Sequence, residues 1–411
     1  TLTLDGLTVA GNVSVDSGTI KLDGNYPDGT DNVALGDSTL SSLTPSGSDG
    51  RRNTVVGSNA GASITTGERN TLYGYYSGQS ITTGDRNTAF GEQSFVSATT
   101  GSENASFGTF AGINITTGNY NTAIGNSALF ENTTASRNSA VGYQSLYANT
   151  TGSANASVGY QALYTNTTGA ENTAIGDQAL YLNTTGDGVT GLGRFALYSN
   201  TTGDYNTAVG LGSLAGNTTA SNNTAVGYHA AYSNTTGTEN TAFGQQALYT
   251  NTTGRELHAA GRKALFANTT GSYNTASGAT ALAANTTGAN NTAHGYRALY
   301  SNTTASFNTS IGYQSLYSIV TNGSNAALGY QAGYNATNAE NTFIGFKSGY
   351  GVTTGASGTG VGRLSLGGNS AGLTGSNNVS IGNASMYVTT SGAANVAVGT
   401  LALFDNTTGS Y

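Results

Sequence analysis

The chain has no cysteine, no tryptophan and only two prolines among its 411 residues. Without cysteine it has neither a disulfide scaffold nor a thiolate metal site. Charged residues make up 8% of the sequence, whereas an ordinary globular domain carries roughly 25%. These shortages exclude a small disulfide-stapled domain and a conventional surface of lysine and glutamate.

The few charges also limit the partners. Lys and Arg number 13 against 20 Asp and Glu, which gives a net charge of −7. No basic surface for nucleic acid or anionic lipid is therefore expected. No run of about 18 consecutive apolar residues occurs, so we expect no membrane insertion within this sequence. Nothing in the composition indicates a cofactor.

A tandem repeat dominates the chain. A glycine that follows a small apolar pair, as in Ala123-Ile124-Gly125, recurs every 17 residues from Gly57 to Gly329 without an insertion. The unit reads Asn-Thr-Ala-(Val/Ile/Phe)-Gly-Tyr-Gln-Ala-Leu-Tyr-x-Asn-Thr-Thr-Gly-x-x. A fixed step is typical of coils that stack, because each residue then lies on its counterpart one unit away.

The spacing divides the chain into two segments. Residues 32–411 form an array of about 22 units, irregular at 36–57 and at 329–399. Residues 1–31 lack the unit and alternate apolar residues with Asp-Gly and Ser-Gly turns, which predicts a β-rich cap or connector. Because the array stops within a unit, we expect a tip, a cleavage domain or an anchor beyond this sequence.

The unit predicts an all-β fold, a parallel β-solenoid or β-roll. Two short runs, Asn-Thr-Ala-Val-Gly and Gln-Ala-Leu-Tyr, indicate two short strands per coil. The glycine after Val and the glycine after Thr-Thr are expected at corners with positive φ. Coils about 4.8 Å apart would build a rod of roughly 100 Å. The Asn that opens each unit is expected to form a ladder of amides that satisfies the turn backbone.

Alternation along the first strand assigns its two faces. The strand alanine fits the narrow interior, and the Val, Ile or Phe after it faces outward as a continuous apolar stripe. A stripe that runs the length of a rod must be covered, and self-association would cover it, so we predict a parallel homotrimer. The predicted trimer stripe consists of Val56, Phe90, Phe107, Ile124, Val141, Val158, Ile175, Val209, Val226 and Phe243.

The motif Asn-Thr-Ala-Ile-Gly, with Asn138-Ser139-Ala140-Val141-Gly142 as a variant, resembles the head repeat of trimeric autotransporter adhesins. That resemblance implies a trimeric left-handed parallel β-roll, although the family's repeats are shorter than 17 residues. The opening Thr-Leu-Thr-Leu-Asp-Gly-Leu-Thr-Val resembles an N-terminal segment of phage tail fibres, in which Asn-Thr-Ala-x-Gly-Tyr repeats follow downstream. Neither resemblance carries a catalytic residue to this chain.

These features lead us to expect a non-enzymatic structural fibre of a phage or virion. It would be a rigid rod or spacer that contributes to host-surface adhesion, with itself and a surface polysaccharide as partners. Two alternatives stay open: a bacterial cell-surface adhesin or extracellular fibril, and a carbohydrate-binding or depolymerising tailspike. A glycosidase would need two carboxylates about 5–9.5 Å apart. Glu171 and Asp187 are the nearest pair by position, and solvated turn charges are their expected role.

Three further groups of residues are candidate sites. The aromatic column after Leu is a candidate glycan platform, in which rings would stack about 4.8 Å apart; it includes Tyr147, Tyr164, Tyr181 and Tyr198. The stripe loses its apolar character near His258, Ser277 and His294, which in a trimer would line an axial site for water, an anion or a metal ion. Asn-x-Thr sequons are candidate glycosylation sites, although a structural turn is their expected role; they include Asn132, Asn149, Asn166 and Asn183.

Overall fold

A computed structural model describes residues 31–44, 49–369 and 372–410. The predicted N-terminal cap, apart from Asp31, lies outside the described residues. Within them the chain is all-β and contains 22 strands of three residues each. The strands are β1 Val33–Leu35, β2 Thr54–Val56, β3 Thr71–Tyr73, β4 Thr88–Phe90, β5 Ala105–Phe107, β6 Thr122–Ile124, β7 Ser139–Val141, β8 Ala156–Val158, β9 Thr173–Ile175, β10 Thr190–Leu192, β11 Thr207–Val209, β12 Thr224–Val226, β13 Thr241–Phe243, β14 His258–Ala260, β15 Thr275–Ser277, β16 Thr292–His294, β17 Thr309–Ile311, β18 Ala326–Leu328, β19 Thr342–Ile344, β20 Thr359–Val361, β21 Val379–Ile381 and β22 Val396–Val398.

Each strand pairs in parallel with the next one along the chain, so the strands form a single sheet. The register pairs residues at equivalent positions of the repeat unit: Thr122 pairs with Ser139, and Ala123 with Ala140. The chain is thus a parallel β-solenoid of about 21 turns with a 17-residue step, as the repeat predicted. At about 4.8 Å per coil, the sheet is roughly 100 Å long.

The prediction of a second strand in each coil was wrong. The Gln-Ala-Leu-Tyr segment forms turns, because its Gln and Leu lie in the left-handed region, with φ of 52° at Gln144 and 53° at Leu146. A non-glycine residue there costs roughly 1–2 kcal/mol. Stacking offsets this cost, since the N–H of Gln144 donates to Asn126 O of the preceding coil and that of Leu146 to Ala162 O of the next.

The two glycines of the unit play different roles. Gly176, which follows the strand, has φ of 137°, and a Cβ there would lie 2.7 Å from the carbonyl carbon of Gly193. Gly186, which follows Thr-Thr, has no such positive φ, although a Cβ there would lie 2.7 Å from Gly203 O. The predicted positive φ is therefore confirmed for the first glycine and wrong for the second, where the close approach of Asn183 Oδ1 and of Gly203 O favours glycine.

Small residues and one leucine per coil fill the interior. In the coil of β6, the strand residue Ala123 and the turn residues Ala128 and Leu129 are completely buried. The equivalent positions are buried in most coils and are occupied mainly by Ala, Ser, Gly and Leu, so the core is a continuous column rather than a central cluster. The narrow interior predicted from the strand alanines is confirmed, and the turn leucine adds most of its apolar volume.

Two asparagine columns supply much of the polar part of the interior. In the column that opens the unit, the backbone N–H of Asn138 donates to Asn121 Oδ1 at 3.0 Å, and its Nδ2 donates to Gly152 O at 3.0 Å. The amide ladder predicted to satisfy the turn backbone is thereby confirmed. In the second column, Asn149 Nδ2 donates to Asn132 Oδ1 at 2.9 Å and to Gly152 O at 2.8 Å. Buried amides that hydrogen bond with the same residue of the neighbouring coil fix the register of the stack.

Candidate interaction surfaces

The outer face of the sheet carries an apolar stripe. The middle residue of each strand points inward, and the residue after it is exposed or half-buried: Ile124 is 40% exposed, and Phe90 and Phe107 are each 37% exposed. Aromatic members stack along the rod, with 4.7 Å between the ring centroids of Tyr73 and Phe90 and 5.3 Å between those of Phe90 and Phe107. A single chain therefore presents a ladder of apolar side chains to its surroundings.

A second ladder of rings follows the turn segment. Tyr147, Tyr164, Tyr181 and Tyr198 stack with centroids 5.1–5.3 Å apart and ring planes within 15° of parallel. Burial, together with the neighbouring Tyr147 and Tyr181, raises the pKa of Tyr164. Because the segment is a turn, these rings cover turns and not a second sheet. Their role as a glycan platform stays a prediction.

The three residues of the candidate axial site occupy two columns. Ser277 pairs with His294 in the stripe column, whereas His258 pairs with Thr241 and Thr275 in the column two residues earlier. All three lie on the outer face of the sheet. Within the described residues of this one chain, no group of three or more His, Asp or Glu side chains could hold a metal ion. An axial site would therefore need several chains.

Of the two acidic candidates, Asp187 hydrogen bonds with neighbouring coils. Asp187 Oδ1 accepts a hydrogen bond from Ala170 N–H at 2.7 Å, and the N–H of Asp187 donates to Asp204 Oδ1 at 2.8 Å. Serine takes the same role elsewhere in this column, as in the bond from Asn119 N–H to Ser136 Oγ. Glu171 and Asp187 are both exposed. This arrangement agrees with the expected role of the pair as turn residues.

The sequon asparagines lie in the interior. Asn132, Asn149, Asn166 and Asn183 are completely buried, and the Nδ2 to which a glycan would be attached already donates to a neighbouring carbonyl, as in Asn166 Nδ2 to Gly169 O at 2.9 Å. A glycan on this atom would break the ladder. The position therefore argues against a glycosylated edge on the folded rod and favours the structural role.

Sequence reasoning missed an interruption in the tyrosine ladder. The coil between Tyr198 and Tyr232 carries Ala215 where its neighbours carry a ring, with Gly212 and Gly216 on either side in the chain. A pocket of about 380 Å³ opens there. It is lined by Gln178, Phe195, Tyr198, Ser199, Leu211, Gly212, Ala215, Gly216, His229 and Tyr232. The available signal was the departure from the consensus at Leu211, Gly212 and Ala215, where the unit has Tyr, Gln and Tyr.

Four aromatic side chains form part of the pocket walls. The Phe195 ring meets Tyr198 edge-on, with centroids 5.7 Å apart. The His229 ring stacks on Tyr228 at 3.9 Å and lies 4.7 Å from the Tyr232 ring. Burial lowers the pKa of His229, which favours the neutral imidazole. The pocket thus combines ring faces with a few neutral polar groups.

Comparison with known proteins does not extend these observations. No protein-family model matches the chain, and no curated protein shows significant similarity to it. In the described part of the chain, no helix has the length and apolar character to cross a bilayer.

Proposed function

We propose that this protein is a non-enzymatic structural fibre, in which parallel chains associate through the outer face of the sheet. The apolar stripe of β2 to β13 supports the proposal. It keeps one position in every coil, and side chains such as Ile124 and Ile175 remain 40% and 45% exposed on the single chain. Long exposed apolar stripes on a soluble rod mark interaction surfaces.

The rod geometry favours three parallel chains. Another copy in the same direction and register would place each member of the stripe beside its counterpart along the whole length. Three copies around a common axis would bury all three stripes at once. The interface would be interrupted after Phe243, where the stripe position is occupied by Ala260, Ser277 and His294. A polar axial site at this interruption belongs to the same proposal.

The assembly would act as a rigid attachment rod or spacer at the outside of a virion or a cell. A stacked backbone with fixed 17-residue coils resists bending, because each coil hydrogen bonds with both neighbours. The resemblance to phage tail fibres and adhesin heads supports host-surface adhesion as its purpose, with the phage fibre as the favoured source. The half-buried rings along the turns would supply repeated weak contacts for a surface polysaccharide, which multivalency would strengthen.

Cysteine cross-linking tests the parallel, in-register arrangement. The natural chain has no cysteine, so Val158→Cys introduces one thiol into the stripe. Thr168→Cys places a thiol on an exposed turn of the same coil as a control. Mild oxidation of dilute protein should give covalent dimers of Val158→Cys and leave Thr168→Cys uncross-linked. Equal cross-linking of both variants, or none with either, would contradict the proposal.

A further inference from the structure

The gap at Ala215 has the dimensions of one missing ring. On one side, Tyr181 and Tyr198 stack at 5.3 Å; on the other, Tyr232 and Tyr249 stack at 5.4 Å. Two coils separate Tyr198 from Tyr232, so their rings lie about 10 Å apart. A ring inserted midway would have an aromatic face on each side at the ladder's own spacing.

The side of the gap is polar. Gln178 Nε2 donates to Gln161 Oε1 at 3.2 Å, and this glutamine ladder then stops because Phe195 occupies the next place. The Gln178 carbonyl therefore receives no amide from a following glutamine. Ser199 and His229 add a hydroxyl and an imidazole to the same lining. These groups can donate to and accept from the edge of a bound ring.

The lining carries no formal charge. Among the described residues that form it, none is Lys, Arg, Asp or Glu. The nearby Arg194 lies 4.4 Å from the centre of the Phe195 ring and pairs with Asp177 at 3.3 Å. An anionic or cationic ligand would find no unpaired counter-charge in this pocket.

We infer that the gap at Ala215 is a binding site for the uncharged pyranose ring of a saccharide. A pyranose has apolar C–H faces that suit the two tyrosine rings, and a rim of hydroxyls that suits Gln178, Ser199 and His229. A plain aromatic ring would match the faces but leave these polar groups without partners, which carries a cost on desolvation. The volume of about 380 Å³ lies within the range of small-molecule pockets.

The chain contains a matched gap that lacks these features. Ala283 also replaces a ring, between Phe266 and Tyr300, but Thr280 and Ala284 stand where the first gap has glycines. The Arg297 guanidinium lies 5.4 Å from the centre of the Tyr300 ring, which places a charge beside that gap. Filling the second gap is therefore the control for filling the first.

Saturation-transfer NMR on the full chain tests the site. The probes are the methyl glycosides of glucose, galactose, mannose and N-acetylglucosamine, with phenol as a plain aromatic probe. At least one glycoside should receive transfer at its ring protons from the unmodified protein. Ala215→Tyr restores the ladder and should abolish that transfer, whereas Ala283→Tyr should leave it unchanged. Ala215→Leu fills the gap without a phenol and should also abolish it.

Each outcome bears on the inference. Loss with both Ala215 variants and retention with Ala283→Tyr would support it. Transfer to none of the glycosides, transfer that survives both Ala215 variants, or transfer to phenol alone would overturn it. The inference rests on the proposed attachment function for its biological meaning. The experiments that would refute the saccharide site differ from those that would refute the fibre. Chain association is measured by mass and cross-linking, and neither depends on this pocket.

Discussion

Asn302 Nδ2 donates a 2.8 Å hydrogen bond to Asn285 Oδ1, while Asn302 Oδ1, buried in the interior, has no partner among the described residues. From Asn149 onward, every amide in this column donates from Nδ2 to the Oδ1 of the preceding coil. Each Oδ1 before that of Asn302 therefore accepts its hydrogen bond from the asparagine of the following coil. The following coil places the apolar Ile319 in that position. The ladder that begins at Asn132 therefore ends on an unsatisfied acceptor.

The end of the ladder should tolerate substitution better than its middle. Asn183→Ala removes a donor to Asn166 Oδ1 and an acceptor from Asn200 Nδ2. Asn302→Ala removes a donor and also eliminates the unsatisfied oxygen. We expect Asn183→Ala to be more destabilising by about 1–3 kcal/mol, the cost of one buried unsatisfied polar group. Denaturant melts of the two variants would measure this, and equal midpoints would contradict the one-way ladder.

The two glycine columns provide a matched test of backbone strain. A Cβ at Gly176 or at Gly186 meets a carbonyl of the next coil at 2.7 Å, but only Gly176 has a positive φ. The Gly186 column already contains the buried Ala135, Ala220 and Ala305, so the stack accommodates a methyl there. Gly176→Ala should therefore lower the melting temperature much more than Gly186→Ala, by an additional strain of about 1–3 kcal/mol. The reverse order would show that contact, and not φ, determines the choice of glycine.

His229 should make stability depend on pH. Burial lowers its pKa in the folded chain below the ordinary value of 6.5, so the unfolded chain binds a proton first as the pH falls. Stability contributed by the neutral imidazole is present above about pH 6.5 and is lost on acidification through the folded pKa. The effect should be small because the ring is only half-buried. His229→Gln, which restores the column residue seen at Gln161 and Gln178, should flatten the melting profile in this range; an unchanged profile would refute this contribution.

Much of the fold follows from spacing alone. The 17-residue step, the inward Ala123 and the outward Ile124 all follow from a repeat that stacks like on like, and strand alternation then fixes the two faces. The amide ladder of Asn121 and Asn138 follows from the same logic, since identical polar residues in adjacent coils can bond only with one another or with the turn.

The turn conformation could not be predicted in this way. Leu146 has an ordinary strand-forming neighbourhood in sequence, and its positive φ arises only because hydrogen bonds to two adjacent coils compensate for the local cost. The pocket could not be predicted for the same reason, because an alanine such as Ala215 does not by itself indicate a cavity. Its meaning depends on the rings of Tyr198 and Tyr232, which lie 17 residues away on either side.

The mass of the intact protein in solution tests the central claim most directly. Sedimentation equilibrium should give three times the 41.2 kDa chain mass, with rods of roughly 100 Å in negative-stain images. The combined variant Ile124→Asp, Val141→Asp and Val158→Asp should sediment as a folded single chain, because charges facing like charges in an apolar interface cost several kcal/mol. Thr134→Asp, Thr151→Asp and Thr168→Asp, on exposed turns of the same coils, should retain the threefold mass. A monodisperse single chain for the unmodified protein would contradict the account.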